Sequence, residues 1–214
     1  VRSRRQRQMC IRDRNYLNVV MFSPEDLELV KGSPSARRKF IDSSVSQLYP
    51  RYLTSLIDYH KALGQKNSLL KVLRAKGAKS DMMLSVWNEQ LAAEGEKIIK
   101  YRTDFVKLIN NFSAAIQNEI SGEKLQISYM PGMRASSDDK DSIYEYLEKN
   151  QRREIDLASA QVGVQRDDLH ITINGSEAKI YGSQGQQRTS ALSMKIAQAD
   201  YICLLYTSPS PRDA

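Results

Sequence analysis

From residue 35 to about 76 the apolar positions recur with a helical period. Val45, Tyr52, Tyr59, Lys66 and Leu73 follow one another every seven residues, and Leu48, Leu56, Leu63 and Leu70 fill the interleaved stripe. Lys76-Gly77-Ala78-Lys79 breaks the pattern, and Ser80 or Asp81 can cap the helix that follows. That helix is predicted over 82 to about 120. Its stripe is Leu84, Trp87, Leu91, Glu94, Ile98, Tyr101, Phe105, Leu108, Phe112 and Ala115, with spacings of three and four and a polar slip at Glu94. Two such helices joined by a tight turn form an antiparallel helical hairpin, roughly 45–55 Å long at about 1.5 Å per residue. The aromatic stripe reads as packing between the helices rather than a ligand box.

Shorter elements flank the hairpin. Residues 16–22, YLNVVMF, form an apolar run expected as a buried strand. Ser23-Pro24-Glu25-Asp26 has the form of a helix start, and Gly32-Ser33-Pro34 closes it. Ser121-Gly122 ends the hairpin, Leu125–Tyr129 alternates as a strand, and the stretch to Asp139 is a loop. Residues 141–158 carry Ile143, Tyr146, Leu147, Ile155 and Leu157 among charges, a short amphipathic helix. Leu169–Ile173, Asn174-Gly175 and Ala178–Tyr181 predict a β-hairpin. Gly182-Ser183-Gln184-Gly185 then leads into a helix from about Gln186 to Tyr201, with Ala191, Leu192, Ile196 and Ala199 on one side. There is no internal repeat.

The 214 residues allow two domains or fewer. A hydrophobic content of 41% with 27% charged excludes a disordered tail. No apolar run nears the ~20 residues of a membrane helix, and none has the form of a signal peptide. The formal net charge of +7 is unevenly spread. Residues 37–79 hold ten Lys and Arg against Asp42 and Asp58, whereas 80–160 are net acidic. A one-sided basic stretch suits a phosphate backbone or is simply a solvated helix face. Arg37, Arg38, Lys39, Lys61, Lys66 and Lys71 are its candidate DNA contacts. Residues 1–14 add six arginines and one aspartate. They read as a basic nucleic-acid arm or as something foreign. RRQRQMCIRDR and, at the other end, CLLYTSPSPRD resemble translated adapter sequence from transposon-based DNA libraries. Residues 1–14 and 203–214 are therefore expected to be artefact. Both cysteines, Cys10 and Cys203, lie in these segments, so no disulfide is expected.

The richest candidate chemistry is Gly182–Thr189, GSQGQQRT. Its glycines let the backbone approach a ligand, and the first-turn amides and dipole of the following helix favour an anion. Ser183 adds a hydroxyl, Gln186 and Gln187 add amides, and Arg188 adds a guanidinium. No carboxylate lies between 178 and 199. A plain strand-to-helix turn with a polar cap is the other reading. The chain has no G-x-x-x-x-G-K-[ST] phosphate loop, no zinc-type cysteine pair or H-E-x-x-H, and two isolated histidines, His60 and His170. Arg166-Asp167-Asp168 reads as a charged turn.

YLNVVMFSPEDLELVKGSPSARRKFID, QLYPRYLTSLIDYHKALGQKNSLLK and RDDLHITINGSEAKIYGSQGQQRTSALSMKIA together resemble the RecF family of bacterial DNA replication and repair proteins, over essentially all of 15–202. These are ABC-type ATPases related to the Rad-fifty and SMC proteins. The resemblance implies an α/β (α+β) fold, part of an ABC-type ATPase head with a long antiparallel helical-hairpin arm. Residues 15–34 would belong to the head, 35–121 to the arm, and 122–202 to the head with its signature segment. That segment, Ser183, Gly185, Gln186, Gln187 and Arg188, would bind in trans a nucleotide held by a second RecF subunit. Where the family usually reads G-P-H-R-D-D, this chain has Gly163-Val164-Gln165-Arg166-Asp167-Asp168, so a role for that histidine has no counterpart here. ATP and Mg²⁺ would be held mainly by a phosphate loop before residue 15 and by acids after 202. They are expected as cofactors of the intact protein, with no catalytic or metal residue and no ATPase activity in this chain alone. The implied partners are DNA at single-stranded/double-stranded junctions, a second subunit and RecR/RecO-type mediators, with no membrane and a cytoplasmic location. The implied work is recombinational repair of single-strand gaps and the SOS response. The alternative is a non-catalytic coiled-coil adaptor that binds DNA or a protein partner.

Overall fold

The computed structural model describes residues 20, 22–78, 80–133 and 135–207. The strand expected over 16–22, apart from Val20 and Phe22, and the whole adapter-like segment 3–14 lie outside them. A 3-10 turn, Pro24–Leu27, runs into α1, Glu28–Lys31. Next come α2, Pro34–Leu48, α3, Pro50–Lys76, and α4, Met82–Ser121. Strand β1, Leu125–Met130, precedes α5, Lys140–Leu157. A 3-10 turn at Val164–Arg166 leads into β2, Asp168–Ile173, then β3, Ser176–Glu177. The last elements are α6, Ala178–Tyr181, and α7, Gln184–Thr207.

The expected helix over 35–76 is two helices. The ring of Pro50 disfavours helical backbone at Tyr49, which lies extended at φ −125°, ψ 95°, and Pro50 opens α3 from its first position. The heptad survives the break, since Val45, Tyr52, Tyr59, Lys66 and Leu73 are all buried. Gly77 ends α3 at φ +65°, a left-handed conformation that glycine adopts without a Cβ clash. The Asp81 carboxylate then accepts from the Met83 amide at 2.7 Å and caps α4.

Helix α4, about 60 Å long at 1.5 Å per residue, packs on α3, α5, α7 and β1. Its buried face is broader than the predicted stripe and displaced from it: Leu84, Leu91, Ile98 and Phe105 are buried, but Leu108 and Ala115 are exposed. Asn88, Gly95, Arg102 and Ile109, and alongside them Ala92, Ile99, Val106 and Ser113, form two further buried rows. The hairpin is therefore not a free arm. Helix α5 lies along it through Asn88–Glu148 at 2.8 Å and Lys140–Glu89 at 3.0 Å. Ile155 joins Leu70, Leu73 and Leu84 in a small apolar cluster near the hairpin turn.

The sheet is antiparallel in the order β1-β2-β3. Leu125 pairs with Ile173, Ile127 with Ile171 and Tyr129 with Leu169, which puts the apolar residues on one face. The Asn174-Gly175 turn forms as expected, both residues at positive φ. Its second strand is not the expected Ala178–Tyr181: the two residues Ser176–Glu177 pair with β2, and Ala178–Tyr181 form α6 instead, because Ala178 leaves the ladder and is buried. Helix α7 begins at Gln184, two residues before the expected Gln186, and runs on to Thr207. Its buried face is Ser190, Ala191, Ser193, Met194, Ala197 and Gln198 rather than the Ile196 side. Its serines and alanines let α7 pack against α4, and Ser193 donates to Gln117 at 2.9 Å.

A buried ionic knot joins these parts. The Arg102 guanidinium lies 2.5 Å from Asp167 and 2.8 Å from Asp42, and donates to the Val164 carbonyl at 2.8 Å. Tyr52 donates to Asp42 and Tyr129 to Asp167, and the Gly132 amide donates to Asp167 at 2.7 Å. Burial pushes the phenols of Tyr52, Tyr59 and Tyr129 upward, so each stays a donor. The charged-turn reading of Arg166-Asp167-Asp168 thus fails at Asp167, which is wholly buried.

Removing one member of a buried pair leaves an uncompensated charge, so Arg102→Ala should cost about 3–5 kcal/mol in urea unfolding followed by circular dichroism. Asp167→Ala combined with it should cost clearly less than the sum of the two single effects.

Candidate functional site

The Gly182–Thr189 turn is fed by the single turn of α6, not by the strand expected there. Ser183 caps α7 in a reciprocal box. The Gln186 amide donates to Ser183 Oγ at 3.2 Å, and the Ser183 amide donates to Gln186 Oε1 at 2.8 Å. The Gln187 amide donates to the Ser183 carbonyl at 2.9 Å. The first-turn amides of Gln184 and Gly185 have no intrahelical acceptor. Ser183, Gln184, Gly185 and Arg188 are exposed, and a Cβ built on Gly185 would meet only Ser183 Oγ, at 3.8 Å. The surface is open, polar and rich in donors, as an anion requires.

Two of the predicted ligands are committed elsewhere. Gln187 is buried and turned inward, donating to the carbonyls of Ala178 and Gly182, each at 3.1 Å. It ties the turn to α6 and is not presented to a ligand. The side-chain amide of Gln186 donates to Glu123 at 2.6 Å. The acid-free character of 178–199 therefore holds along the chain but not in space, since the end of α4 brings a carboxylate to the turn. The hydrogen bond from Gln186, backed by those from Ser121 and Gln117, holds the Glu123 carboxyl below its ordinary range.

The basic segment divides in the same way. Arg37 is buried and grips Asp168 with two bonds, 2.6 and 2.9 Å, while donating to the Gly32 carbonyl at 3.1 Å. Lys66 is fully buried and paired with the equally buried Glu154 at 2.6 Å. Both are structural ions and neither can meet a phosphate backbone. Arg38 is half-buried and donates to the Asp167 carbonyl at 2.7 Å. Lys39, Lys61 and Lys71 are exposed, Lys61 beside Asp58 at 3.2 Å. Among the described residues no three His, Cys, Asp or Glu side chains cluster as a metal site would need.

Two features escaped the sequence reading. A cleft of about 660 Å³ opens along the α3–α4 seam, lined by Arg51, Asp58, Lys97, Lys100, Tyr101 and Asp104 among others. Glu94, the polar slip in the heptad, also lines it and was its one visible signal. The second is what holds Gly163–Asp168, a segment marked in the sequence only by its departure from the family pattern. Gln165, where the resembling family has histidine, accepts from the buried Tyr59 hydroxyl at 2.6 Å. Val164, in place of proline, has an amide to satisfy, and the same hydroxyl accepts it at 3.2 Å. Gly163 sits at φ +133° with the Tyr59 hydroxyl where a Cβ would stand.

No protein-family model matches the chain. It is 43% identical over 187 residues to the DNA replication and repair protein RecF of Clostridium perfringens (strain 13 / Type A), covering 86% of this chain and 51% of that protein. It is 42% identical over 193 residues to RecF of Bacillus cereus (strain AH820), covering 87% and 52%. Two solved structures of the recombination mediator protein RecF in the RecFOR pathway, one as RecF-ATPrS and one as RecF-ATP, superpose with a TM-score of 0.82 at 36% and 34% identity. Each covers 87% of this chain and 51% of the other. Helix-rich, with a small antiparallel sheet, the fold is α+β and matches part of these RecF structures. The chain is a homologue of RecF, and it spans about half the length of the curated relatives it matches.

Lys66→Met should destabilise the fold by about 3–5 kcal/mol in urea unfolding by stranding the buried Glu154. Lys61→Ala, on an exposed position, should stay within about 0.5 kcal/mol.

Proposed function

We propose that this chain serves ATP-dependent DNA binding and dimerisation in recombinational repair of single-strand gaps and in the SOS response, as part of a RecF-type head. The observation that carries the reading is the Ser183–Arg188 turn. It holds a capped helix start, unpaired first-turn amides and an exposed arginine, in a fold homologous to RecF-ATP. These residues fit a phosphate but make only one face of a site. The nearest lysine along the chain, Lys179, donates to the Gly32 carbonyl at 3.2 Å. A triphosphate therefore needs a second surface, which a phosphate loop with Mg²⁺ on a second subunit would supply. In that arrangement Ser183 donates its hydroxyl, Gln184 and Gly185 their amides, and Arg188 its charge, to a nucleotide seated on the partner. Gln186 and Gln187 hold the turn in shape. DNA backbone contact falls to Lys39, Lys61 and Lys71, with Arg38 at the edge of that set. RecR/RecO-type mediators are the proposed protein partners, in the cytoplasm. Among the described residues no helix is long and apolar enough to cross a membrane.

In a complete RecF-type protein carrying this half, Ser183→Arg should leave nucleotide binding nearly intact and abolish ATP-dependent dimerisation, measured by sedimentation. Mixing it with a phosphate-loop variant should restore partial association, because one composite site then keeps both native halves. Dimerisation of Ser183→Arg at the level of the parent protein would make the turn purely structural.

Replacing Lys39, Lys61 and Lys71 together by alanine should flatten the salt dependence of duplex affinity by about 0.9 in log–log slope for each phosphate that the side chains no longer neutralise. An unchanged slope would assign these charges to solvation.

A further inference from the structure

We propose that Glu123 is the positioning residue of the Ser183–Arg188 turn: its carboxylate, brought from just beyond α4, sets the Gln186 side chain and through it the Ser183 cap. This rests on the trans-nucleotide reading above. The connection is a chain of hydrogen bonds, each with its direction fixed by chemistry. A carboxylate only accepts. Glu123 Oε1 therefore takes the Gln186 Nε2 hydrogen at 2.6 Å, and Oε2 takes those of Gln117 at 3.0 Å and Ser121 at 2.9 Å. With its nitrogen committed to Glu123, the Gln186 amide can only turn its oxygen to the Ser183 amide, 2.8 Å away.

The orientation matters because an unheld glutamine could swing its carbonyl lone pairs into the space an anion would occupy. Held as it is, Gln186 keeps its oxygen on the Ser183 amide and its nitrogen on Glu123, and the Ser183 hydroxyl and the amides of Gln184 and Gly185 are left to face that space. The anchor is stiff. Gln117 is fully buried and in turn accepts from Ser193 at 2.9 Å, so Glu123 is pinned to α4 and, through Gln117, to α7. The depressed carboxyl pKa has the same origin, the Gln186 bond first. The end of the 40-residue helix and the first turn of α7 are thus one hydrogen-bonded unit.

The test uses a complete RecF-type ATPase carrying this half, with Glu123→Ala, Gln186→Ala and both together. In the nucleotide-free protein, hydrogen exchange at the Ser183 amide should rise about tenfold with Glu123→Ala, as the removal of one charge-assisted bond implies, while 190–198 stay unchanged. ATP-dependent dimerisation should weaken about tenfold in each single variant and no further in the double, because both act through one hydrogen bond. Unchanged exchange at Ser183, an equal rise throughout α7, or effects that multiply in the double variant would each overturn the proposal. Ser183→Arg in the same assay separates the two levels. If it abolishes dimerisation while Glu123→Ala does not affect it, only the positioning role fails. If it dimerises normally, the trans reading falls and this inference with it.

Discussion

The guanidinium of Arg102 is buried between carboxylates from two distant stretches of chain, Asp42 on α2 and Asp167 before β2. A charge so placed is costly unless every donor finds an acceptor and every acceptor a donor. Here Tyr52, Tyr129, the Gly132 amide and the Val164 carbonyl complete the set. The arrangement sets the place of each contributor. It fixes α2 against α4, β1 against the loop that follows it, and the start of β2 against all of them. Arg37 and Asp168 repeat the same device one residue further along. Between them, the two ion pairs decide where β2 lies and therefore where its hairpin, α6 and the Ser183 turn are delivered.

That delivery explains why conspicuous polar residues serve architecture rather than ligand. Gln187 donates to the carbonyls of Ala178 and Gly182 and so ties the turn to α6, and Gln186 locks the cap to Glu123. Side-chain amides, which both donate and accept, are well suited to such work, and the turn keeps its outward donors because its inward ones are occupied. The basic stretch follows the same logic. Its most buried members, Arg37 and Lys66, neutralise acids of the fold, and only the remainder is offered to solvent.

Much of the architecture was legible along the chain. The long-helix hairpin, the Asp81 cap, the Asn174-Gly175 turn and the amphipathic helix after Asp139 all follow from short-range rules, and all are present. The break at Tyr49–Pro50 was equally local, but it lay beneath a heptad that continues unbroken through it. The helix at Ala178–Tyr181, where a strand is expected, was not local. Whether Ala178 pairs or turns away depends on the core it meets and on a glutamine nine residues later.

What the sequence by itself determined is most of the elements, their caps, the glycine turn that opens α7 and the relation to RecF, because each is written within a few residues or in direct identity. What only the tertiary structure decided is which charges face water. Ten cations in 37–79 look alike as letters. Lys66 differs from Lys61 because Glu154 meets it in the interior, and Arg37 from Lys39 because Asp168 lies across from it. Those partners are 88 and 131 residues away. An ionic contact depends on distance in space, which no local period encodes, and so the division of the basic segment into structural and available charge appears only once the chain has folded.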